Sequence, residues 1–452
     1  MGSEWTIGHL GEVAKVLSGY AFKSGDMGTS GFPVIKIKNI NPPDVNVSDV
    51  ERVPPSIVEG NPRIEKFRLG KKDILIAMTG ATVGKVGRMP ATTESHYLNQ
   101  RVGKVFVTDA TKADTDFIYY VLSQNGHVDQ MFDLADGSAQ ANISGKQIES
   151  LEIPLPPLPE QKVIAHILGS LDDKIELNRK MNATLEAMAQ ALFKSWFVDF
   201  DPVIDNALRA GNPIPEELAD RAEIRRQAIK DGTAHEKAAK NFPAAFQETD
   251  ELGWIPEGWE IGQMSDHANI EMGQSPKGDT YNVSGEGMPL VNGPVEFGPY
   301  FTKKSKWTTS PTKRSCKGDL IVCVRGSTTG RFVKSDGEYC LGRGVCSVRG
   351  KRSQCFVDQI FKSSITKMLG LTTGSTFPNW SRQTLSGFEA ISPPTMIVDQ
   401  FDALISPKVE RIESGVLESE SLTKLRDILL PKLISGEIRI SGAEKLIEEV
   451  LV

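Results

Sequence analysis

The sequence has few cysteines, and their arrangement excludes the structures that cysteines most often build. All five lie between Cys316 and Cys355, and no two of them form a C-x-x-C pair. This pattern fits neither a zinc-binding module nor a disulfide framework, so we expect reduced thiols, as is usual in the cytoplasm. No apolar run reaches the length of a membrane span, and there is no secretory signal. We therefore expect a cytoplasmic protein without membrane contact.

Motifs of catalysis are also missing. The six histidines are scattered, and neither H-E-x-x-H nor G-x-S-x-G occurs. Asn41-Pro42-Pro43-Asp44 resembles the Asn/Asp-Pro-Pro-aromatic motif of amino-methyltransferases, but Asp44 stands where that motif needs an aromatic residue. Asn-Pro and Pro-Pro pairs usually form turns, so we interpret this segment as a turn. The sequence predicts a binding protein with no catalytic residue, no metal ligand and no cofactor of its own.

The net charge of −6 excludes a uniformly basic nucleic-acid binder, but the charge is unevenly distributed. Residues 63–104, the first basic segment, contain nine basic and three acidic residues, a net charge of +6. Residues 303–352, the second basic segment, contain thirteen basic and three acidic residues, a net charge of +10. Such local fields attract phosphate backbones. The alternative for either segment is an ordinary solvated surface.

A short glycine-rich loop occurs twice, once in each basic segment. MTGATVGK (78–85) and VRGSTTGR (324–331) share two glycines, a threonine and a final cation at matching positions. Neither copy is a nucleoside-triphosphate P-loop, because three residues instead of four separate the glycines, and Val86 stands where the magnesium-binding hydroxyl is needed. A nucleotide site rarely needs two copies, whereas a long, two-sided ligand does.

The repeated loops belong to a longer internal duplication. Residues 4–25 align with 258–279, and residues 136–157 align with 373–394, in the same order. Solenoid repeats have much shorter periods, so the pattern indicates a duplicated domain. Short β-rich runs bounded by Gly and Pro, together with a helix predicted over 114–132, give each half an α+β fold of about 150 residues.

Each half ends in a proline-rich segment that leads into a predicted long helix. From Ile164 to Trp196, apolar residues and two asparagines recur at alternating steps of three and four, the spacing of a coiled-coil seam. This helix, Glu160 to Trp196, would be about 55 Å long. Pro407 is expected in the first turns of the second helix, and Pro431 is expected to end or kink it. The seam residues are Leu171, Ile175, Asn178, Asn182, Leu185, Leu192 and Trp196 in the first helix, and Val409, Ile412, Val416, Leu422, Leu425 and Leu429 in the second.

The two asparagines of the seam leave two interpretations open. Buried, Asn178 and Asn182 would fix the register of the helix pair at a cost in stability; exposed, they would mark a locally open seam. Altogether we expect an α+β protein in which two homologous mixed α/β recognition domains are separated and joined by two long helices. These helices form an antiparallel coiled coil, with pseudo-twofold symmetry. The predicted divisions are 1–157 (first domain), 158–200 (first long helix), 201–253 (partly helical linker), 254–394 (second domain) and 395–452 (second long helix and tail).

These features together resemble the specificity subunit of type I restriction-modification enzymes, over nearly the whole chain. PLPPLPEQKVIAHILGSLDDKIELN and LFKSWFVDFDP are similar to the first shared region of that family, and LTKLRDILLPKLISGEI to its second. GSAQANIS (137–144) resembles the segment that closes a recognition domain. The second copy departs from it, with Phe377 and Pro378 in place of Ala139 or Gln140.

The resemblance implies a non-catalytic subunit that binds double-stranded DNA in the cytoplasm of a bacterium or archaeon. Each recognition domain would recognise one part of a split, asymmetric target. The paired helices would set the spacing and bind two methyltransferase subunits, which bring S-adenosylmethionine and methylate adenine. Up to two restriction subunits would add cleavage that depends on ATP and magnesium. The alternatives are a stand-alone DNA adenine methyltransferase with fused recognition domains, and an adaptor that binds no DNA.

Candidate DNA contacts combine the loops with nearby polar residues. The loop glycines would let backbone N–H groups approach phosphates, Lys85 and Arg331 would add charge, and long amide and guanidinium groups would bind base edges. In the first half the candidates are Lys36, Lys38, Asn39, Thr79, Gly80, Thr82, Gly84, Lys85, Arg88, Asn99, Gln100, Arg101, Ser138, Gln140 and Asn142. In the second half they are Asn292, Arg325, Gly326, Ser327, Thr328, Gly330, Arg331, Arg343, Ser375, Asn379 and Trp380.

Overall fold

A computed structural model describes residues 5–136, 141–234, 239–250, 253–372, 378–443 and 445. The chain folds into two compact units. Unit 1 comprises Met1–Leu177 with Glu418–Val452, and unit 2 comprises Asn178–Leu417. The unit boundaries fall in the middle of both long helices, whereas the sequence-based divisions fall at the ends of the helices. Each long helix therefore contributes one half to each unit.

Unit 1 is a mixed α/β unit whose strands are short, as its many Gly and Pro residues predict. Its strands are β1 (Thr6–His9), β2 (Ala14–Ser18), β3 (Phe32–Ile35), β4 (Ile40–Asn41), β5 (Asp44–Val45), β6 (Glu51–Val53), β7 (Arg68–Leu69), β8 (Ile74–Ala77), β9 (Val86–Arg88), β10 (His96–Leu98), β11 (Val102–Val107) and β12 (Glu152–Leu155). Its helices are α1 (Pro55–Val58), α2 (Pro62–Glu65), α3 (Thr115–Leu122), α4 (Asn125–Asp133), α5 (Gly145–Glu149) and the first half of α6 (Leu158–Phe197).

Unit 2 repeats this architecture and has an additional helical hairpin that precedes it in the sequence. Its strands are β13 (Phe246–Thr249), β14 (Gly253–Pro256), β15 (Glu260–Gln263), β16 (Ala268–Met272), β17 (Tyr281–Asn282), β18 (Met288–Val291), β19 (Trp307–Thr308), β20 (Lys313–Arg314), β21 (Leu320–Cys323), β22 (Phe332–Lys334), β23 (Cys340–Leu341), β24 (Val345–Gly350) and β25 (Glu389–Ser392). Its helices are α7 (Asp201–Ala210), α8 (Ala219–Lys230), α9 (Met264–His267), α10 (Gln354–Gly370), α11 (Arg382–Ser386) and most of α12 (Thr395–Ile434).

The sheets of the two units have matching topology, which confirms the predicted duplication. One sheet has the order β2-β11-β8-β9-β5-β4 in unit 1 and β16-β24-β21-β22 in unit 2. A second sheet contains a parallel pair, β3 with β10 in unit 1 and β18 with β23 in unit 2. The first and last strands of each repeat also pair, β1 with β12 and β15 with β25. The buried strand β8 and its counterpart β21 lead into the glycine-rich loops.

The two long helices run antiparallel inside each unit. In unit 1, Arg426 pairs with Asp172 at 2.8 Å and Lys174 pairs with Glu418 at 3.3 Å. The seam residues buried in the core of this unit are Leu171, Ile175, Leu422, Leu425 and Leu429. In unit 2 the buried seam residues are Asn178, Trp196 and Ile412, and the half-buried ones are Asn182, Leu185, Leu192, Val409 and Val416.

Two sequence-based helix predictions are wrong in their bounds. The segment predicted as one helix over 114–132 forms α3 and α4, separated at Ser123–Gln124, although Asp114 caps α3 by accepting from the amide of Phe117. Helix α12 begins at Thr395, so Pro407 lies in its interior instead of its first turns. Proline removes one backbone donor but does not stop a helix that packing stabilises on both sides.

The described residues of the predicted linker are packed into unit 2. Helices α7 and α8 form a hairpin, and Val203 is buried in the main core of the unit. Two ion pairs join the helices, because Arg221 binds Asp201 and Arg225 binds Asp205, each through two nitrogens. The partly helical character predicted for this segment is confirmed by α7 and α8, and these four charged side chains are paired with one another.

Candidate nucleic-acid interface

The same four chain segments meet in each unit, and together we name them the loop face of that unit. They are a strand-exit loop (36–39 and 292–296), a glycine loop (79–85 and 325–331), an arginine turn (99–101 and 342–344) and an asparagine segment (141–143 and 378–380). The strand-exit loops, glycine loops and arginine turns each follow a strand, so the sheets fix where they begin. Each asparagine segment instead leads into a short helix, α5 in unit 1 and α11 in unit 2.

Matching backbone hydrogen bonds connect the four segments in both units. In unit 1 the amide of Asn99 donates to Ile35 at 3.1 Å, Met78 donates to Arg101 at 3.0 Å, and Ile143 donates to Met78 at 3.0 Å. In unit 2 the corresponding bonds run from Gly342 to Val291 at 2.7 Å, from Val324 to Gly344 at 2.9 Å, and from Trp380 to Val324 at 3.0 Å. The duplication therefore extends to the detailed construction of this surface.

The glycines of the loops adopt a backbone conformation that other residues rarely accept. Gly80 and Gly84 have φ of 75° and 82°, and Gly326 and Gly330 have φ of 78° and 90°. A Cβ at Gly84 would lie 2.8 Å from the carbonyl oxygen of Val128. These positions are thus restricted to glycine by the fold of the loop.

The amides of the four loop glycines are themselves occupied, so any backbone N–H that approaches a phosphate here belongs to another residue of the loops. The amides of Gly80 and Gly326 donate to Ala141 and Pro378 in the asparagine segments, at 2.7 and 2.9 Å. The amides of Gly84 and Gly330 donate to the preceding strands, at 3.0 and 2.9 Å. Since an amide has one hydrogen to donate, all four are already satisfied.

Several predicted DNA contacts are side chains that stabilise the fold instead. Asn39 is 2% exposed, its amide oxygen accepts from the Lys36 amide, and its amide nitrogen donates to Asp49. The guanidinium of Arg88 binds Asp116 at 2.5 Å and lies 4.0 Å from the ring centre of Tyr119. Asn39 is therefore engaged in its own turn, and Arg88 is engaged by Asp116 and Tyr119, although the buried Nε of Arg88 has no hydrogen-bond partner.

Trp380 is likewise a core residue. It is 1% exposed, and its indole nitrogen donates to the carbonyl of Met368 at 2.9 Å. Thr79 and Asn99 are also buried, at 4% and 8% exposure. Thr79 forms an isolated β-bridge with Asn142, and Asn99 forms one with Tyr20. The prediction of side-chain contacts to DNA does not fit the burial of these three residues.

The remaining candidates differ in their exposure and in the interactions that their side chains already make within the unit. Lys36 binds Glu51 at 2.5 Å, and Lys38 lies 3.6 Å from Asp49. Thr82 donates to the carbonyl of Thr79. The half-buried or exposed polar residues of the loop faces are Asn142, Asn292, Ser327, Thr328 and Asn379. Ser138, Gln140 and Ser375 lie outside the described residues.

Five exposed cations of the loop faces have no acidic partner among the described residues. Lys85 and Arg101 lie in unit 1, where Gln100 is exposed between Asn99 and Arg101. In unit 2 they are Arg325, Arg331 and Arg343, of which Arg331 corresponds to Lys85 and Arg343 corresponds to Gln100. Within the described ranges, no carboxylate lies within 4 Å of any of these five cations. Unpaired surface cations are the groups that an anionic polymer can bind without first displacing a partner.

Ion pairing reduces the first basic segment more than the second. In the first, Arg68, Lys72, Arg88 and Lys104 pair with acidic residues. In the second, Lys313, Lys334, Arg349 and Arg352 are paired. Most of the thirteen cations of this segment therefore remain unpaired within the described chain. The second basic segment thus keeps more unpaired cations than the first.

The described residues show no sign of a catalytic or metal centre at these loops. No group of three or more His, Cys, Asp or Glu side chains is arranged to hold a metal among them. Burial raises the pKa of the Cys323 thiol, at the base of the second glycine loop, to about 11. This thiol is therefore neutral at physiological pH and a poor nucleophile. No described helix is both long and apolar enough to cross a membrane.

Sequence reasoning missed two residues of the second strand-exit loop. Val295 is 80% exposed. Glu296 is 5% exposed, and its carboxylate accepts hydrogen bonds from the amides of Asn292 and Gly293. The sequence offered one signal for the pair, a Glu placed five residues after the strand end and two residues after Gly293-Pro294. That signal is too common to have identified the loop.

Comparisons with known proteins agree with this architecture. Residues 2–187 match the model of the type I restriction modification DNA specificity domain. The specificity subunit of the HindI type I restriction enzyme from Haemophilus influenzae is 29% identical over 362 residues, which cover 72% of this chain and 77% of that protein. The putative MjaX specificity subunit from Methanocaldococcus jannaschii is 23% identical over 97% of this chain and 94% of that protein.

A solved structure has the same fold. The S subunit of a type I restriction-modification system from M. genitalium matches with a TM-score of 0.58 at 16% identity, over 95% of this chain and 96% of that one. The chain thus consists of duplicated recognition units that share two long helices. It is similar to type I restriction-modification specificity subunits over nearly its whole length, and residues 2–187 match their DNA specificity domain. Neither alternative function gains support from these relatives.

Proposed function

We propose that each loop face recognises one part of a split, asymmetric DNA target. The observation that carries this proposal is that one backbone framework, built twice, presents different polar side chains at equivalent positions. The arginine turn presents Gln100 in unit 1 and Arg343 in unit 2, and the glycine loop begins with buried Thr79 in one and exposed Arg325 in the other. Two surfaces of the same construction with different side chains would bind two different base sequences.

The side-chain chemistry suggests which groups contact bases and which contact phosphates. Arginine binds the O6 and N7 atoms of guanine in pairs, and glutamine binds the N6 and N7 atoms of adenine. Gln100, Arg325 and Arg343 are therefore the proposed base contacts. Lys85 and Arg331 follow the second glycine of each loop and point charge outward without a partner, so we assign them to phosphates.

We further propose that the two long helices bind two methyltransferase subunits. Several apolar side chains of these helices remain outside the seam. Leu177 and Ile428 are 53% and 55% exposed in unit 1, and Met188 and Leu417 are 49% and 53% exposed in unit 2. Exposed apolar side chains on a polar helix favour burial against another protein. The partners would supply S-adenosylmethionine, and restriction subunits would supply ATP- and magnesium-dependent cleavage.

Two alanine substitutions test whether the loop faces act independently. In a complex with the methyltransferase subunit, Gln100→Ala should relax base preference at one position of the first half-site, by roughly tenfold or more. Arg343→Ala should do the same in the second half-site. Each variant serves as the control of the other, because the untouched half-site should retain its preference.

The measurement is methylation of a DNA library randomised across the target, followed by sequencing of the methylated molecules. Loss of preference confined to one half-site in each variant supports the proposal. Equal weakening at every position in both variants would contradict it, since it would show that these side chains contribute general charge or stability instead of base recognition.

A further inference from the structure

The tip of the second strand-exit loop is an apolar side chain on a polar surface. Val295 lies in the middle of the turn Pro294–Glu296 that follows β18, and 80% of its surface is exposed. A single exposed valine needs no explanation by itself. The hydrogen bonds that hold the turn carrying this valine do need an explanation.

A buried carboxylate holds this turn in one conformation. Glu296 accepts hydrogen bonds from the amides of Asn292 and Gly293, both at 3.2 Å, and its own carbonyl accepts from the Lys303 amide at 2.7 Å. Burying a carboxylate is unfavourable unless hydrogen bonds compensate for the lost water. The turn is therefore a specified structure, and Val295 is presented by it at a defined place.

Unit 1 uses the same device with a different side chain at the tip. Asn39 is buried at the end of the turn Ile37–Asn39, and its side-chain oxygen accepts from the amide of Lys36 at the strand exit. The residue just before the buried acceptor is Lys38 in unit 1 and Val295 in unit 2. One framework thus displays a cation in one unit and a branched apolar group in the other.

The tip lies on the loop face beside the arginine turn. The amide of Gly342 donates to Val291 at 2.7 Å, and a Cβ on Gly344 would lie 2.3 Å from the carbonyl oxygen of Asn292. The strand-exit loop is therefore packed directly against the turn that carries Arg343. Within the major groove, thymine alone among the four bases presents a methyl group, which an apolar side chain contacts favourably.

We propose that Val295 determines specificity in the second half-site by contacting the methyl group of a thymine, with Glu296 as the residue that positions it. This inference rests on the proposed function of the loop faces. Lys38 occupies the corresponding place in unit 1 and contacts a different group of its half-site.

The test compares Val295→Ala with the wild-type chain, each in complex with the methyltransferase subunit. The readout is methylation of a randomised target library. Val295→Ala should lower the preference for thymine at one position of the second half-site by roughly fivefold, with all other positions unchanged. Val283→Ala is the matched control, because Val283 is also 80% exposed but precedes β18, at the opposite end of that strand. It should change no base preference.

A second test changes the DNA substrate instead of the protein. Deoxyuridine lacks the thymine methyl group, so placing it at that position should lower methylation by the wild-type complex and have no further effect on Val295→Ala. The inference is overturned if Val295→Ala keeps every base preference, or if deoxyuridine lowers methylation equally in both complexes. A wild-type complex with no split motif would overturn the proposed function together with this inference. A split motif that Val295→Ala leaves intact would overturn this inference alone.

Discussion

Replacing Trp380 with alanine is expected to lower the free energy of unfolding of unit 2 by about 3–5 kcal/mol. The indole is 1% exposed, donates to the Met368 carbonyl and meets the ring of Phe361 edge-on at 6.2 Å. Alanine would leave a cavity about the size of an indole ring, and the Met368 carbonyl would lose its hydrogen-bond donor. Because the Trp380 backbone also binds Val324, the second loop face would lose its support.

The measurement is chemical denaturation followed by circular dichroism, with hydrogen exchange to assign the loss to unit 2. Trp307→Ala is the matched control, because this tryptophan is half-buried and lies on the two-residue strand β19. A smaller loss is expected for it. Equal losses in the two variants would show that Trp380 is not the structural centre of the loop face.

Replacing Asp205 with alanine is expected to cost about 3–5 kcal/mol, because it removes one partner of a largely buried ion pair. The Asp205 side chain is 2% exposed and that of Arg225 is 17% exposed, with nitrogen–oxygen distances of 2.7 and 2.5 Å. The hydrogen bonds that Arg225 donates to Asp205 raise the pKa of Arg225. Because an arginine stays protonated even without such a partner, the guanidinium of the variant would lose its counter-ion in a site with little water.

The control for this prediction lies on the same helix. Arg226 pairs with Glu223 on the exposed face of α8, so Arg226→Ala should change stability by less than about 1 kcal/mol. The double variant Asp205→Leu/Arg225→Met should recover part of the loss, since no unpaired charge remains. An Asp205→Ala loss no larger than that of Arg226→Ala in thermal or urea unfolding would contradict a structural role for the hairpin.

The sequence predicted those features that repeat or follow a period. The duplication, the paired glycine loops and the two long helices are each marked by many residues at regular intervals, and a few exceptions do not hide such a signal. The positions of Gly80 and Gly326 were informative because a positive φ restricts the residue type directly. The DNA-specificity class could be predicted from the order of these features along the chain.

The function of individual polar side chains was much harder to predict. Lys36, Asn39 and Arg88 are all polar residues in the correct region, but Asn39 is buried in a turn and Arg88 is paired with Asp116. Both facts depend on residues distant in the sequence, which no local pattern reports. The same limit explains Trp380 and the early start of α12, since tertiary packing decides the burial of the first and the length of the second.

The central claim is that two independent recognition units lie on one chain. The most direct test is a genome-wide map of adenine methylation in cells that carry this chain with its methyltransferase subunit. The map is repeated after residues 254–394 are exchanged for the recognition domain of another family member. We expect a split motif in which the exchange alters one part and leaves the other part unchanged. The absence of a motif, or a motif altered in both parts, would contradict the claim.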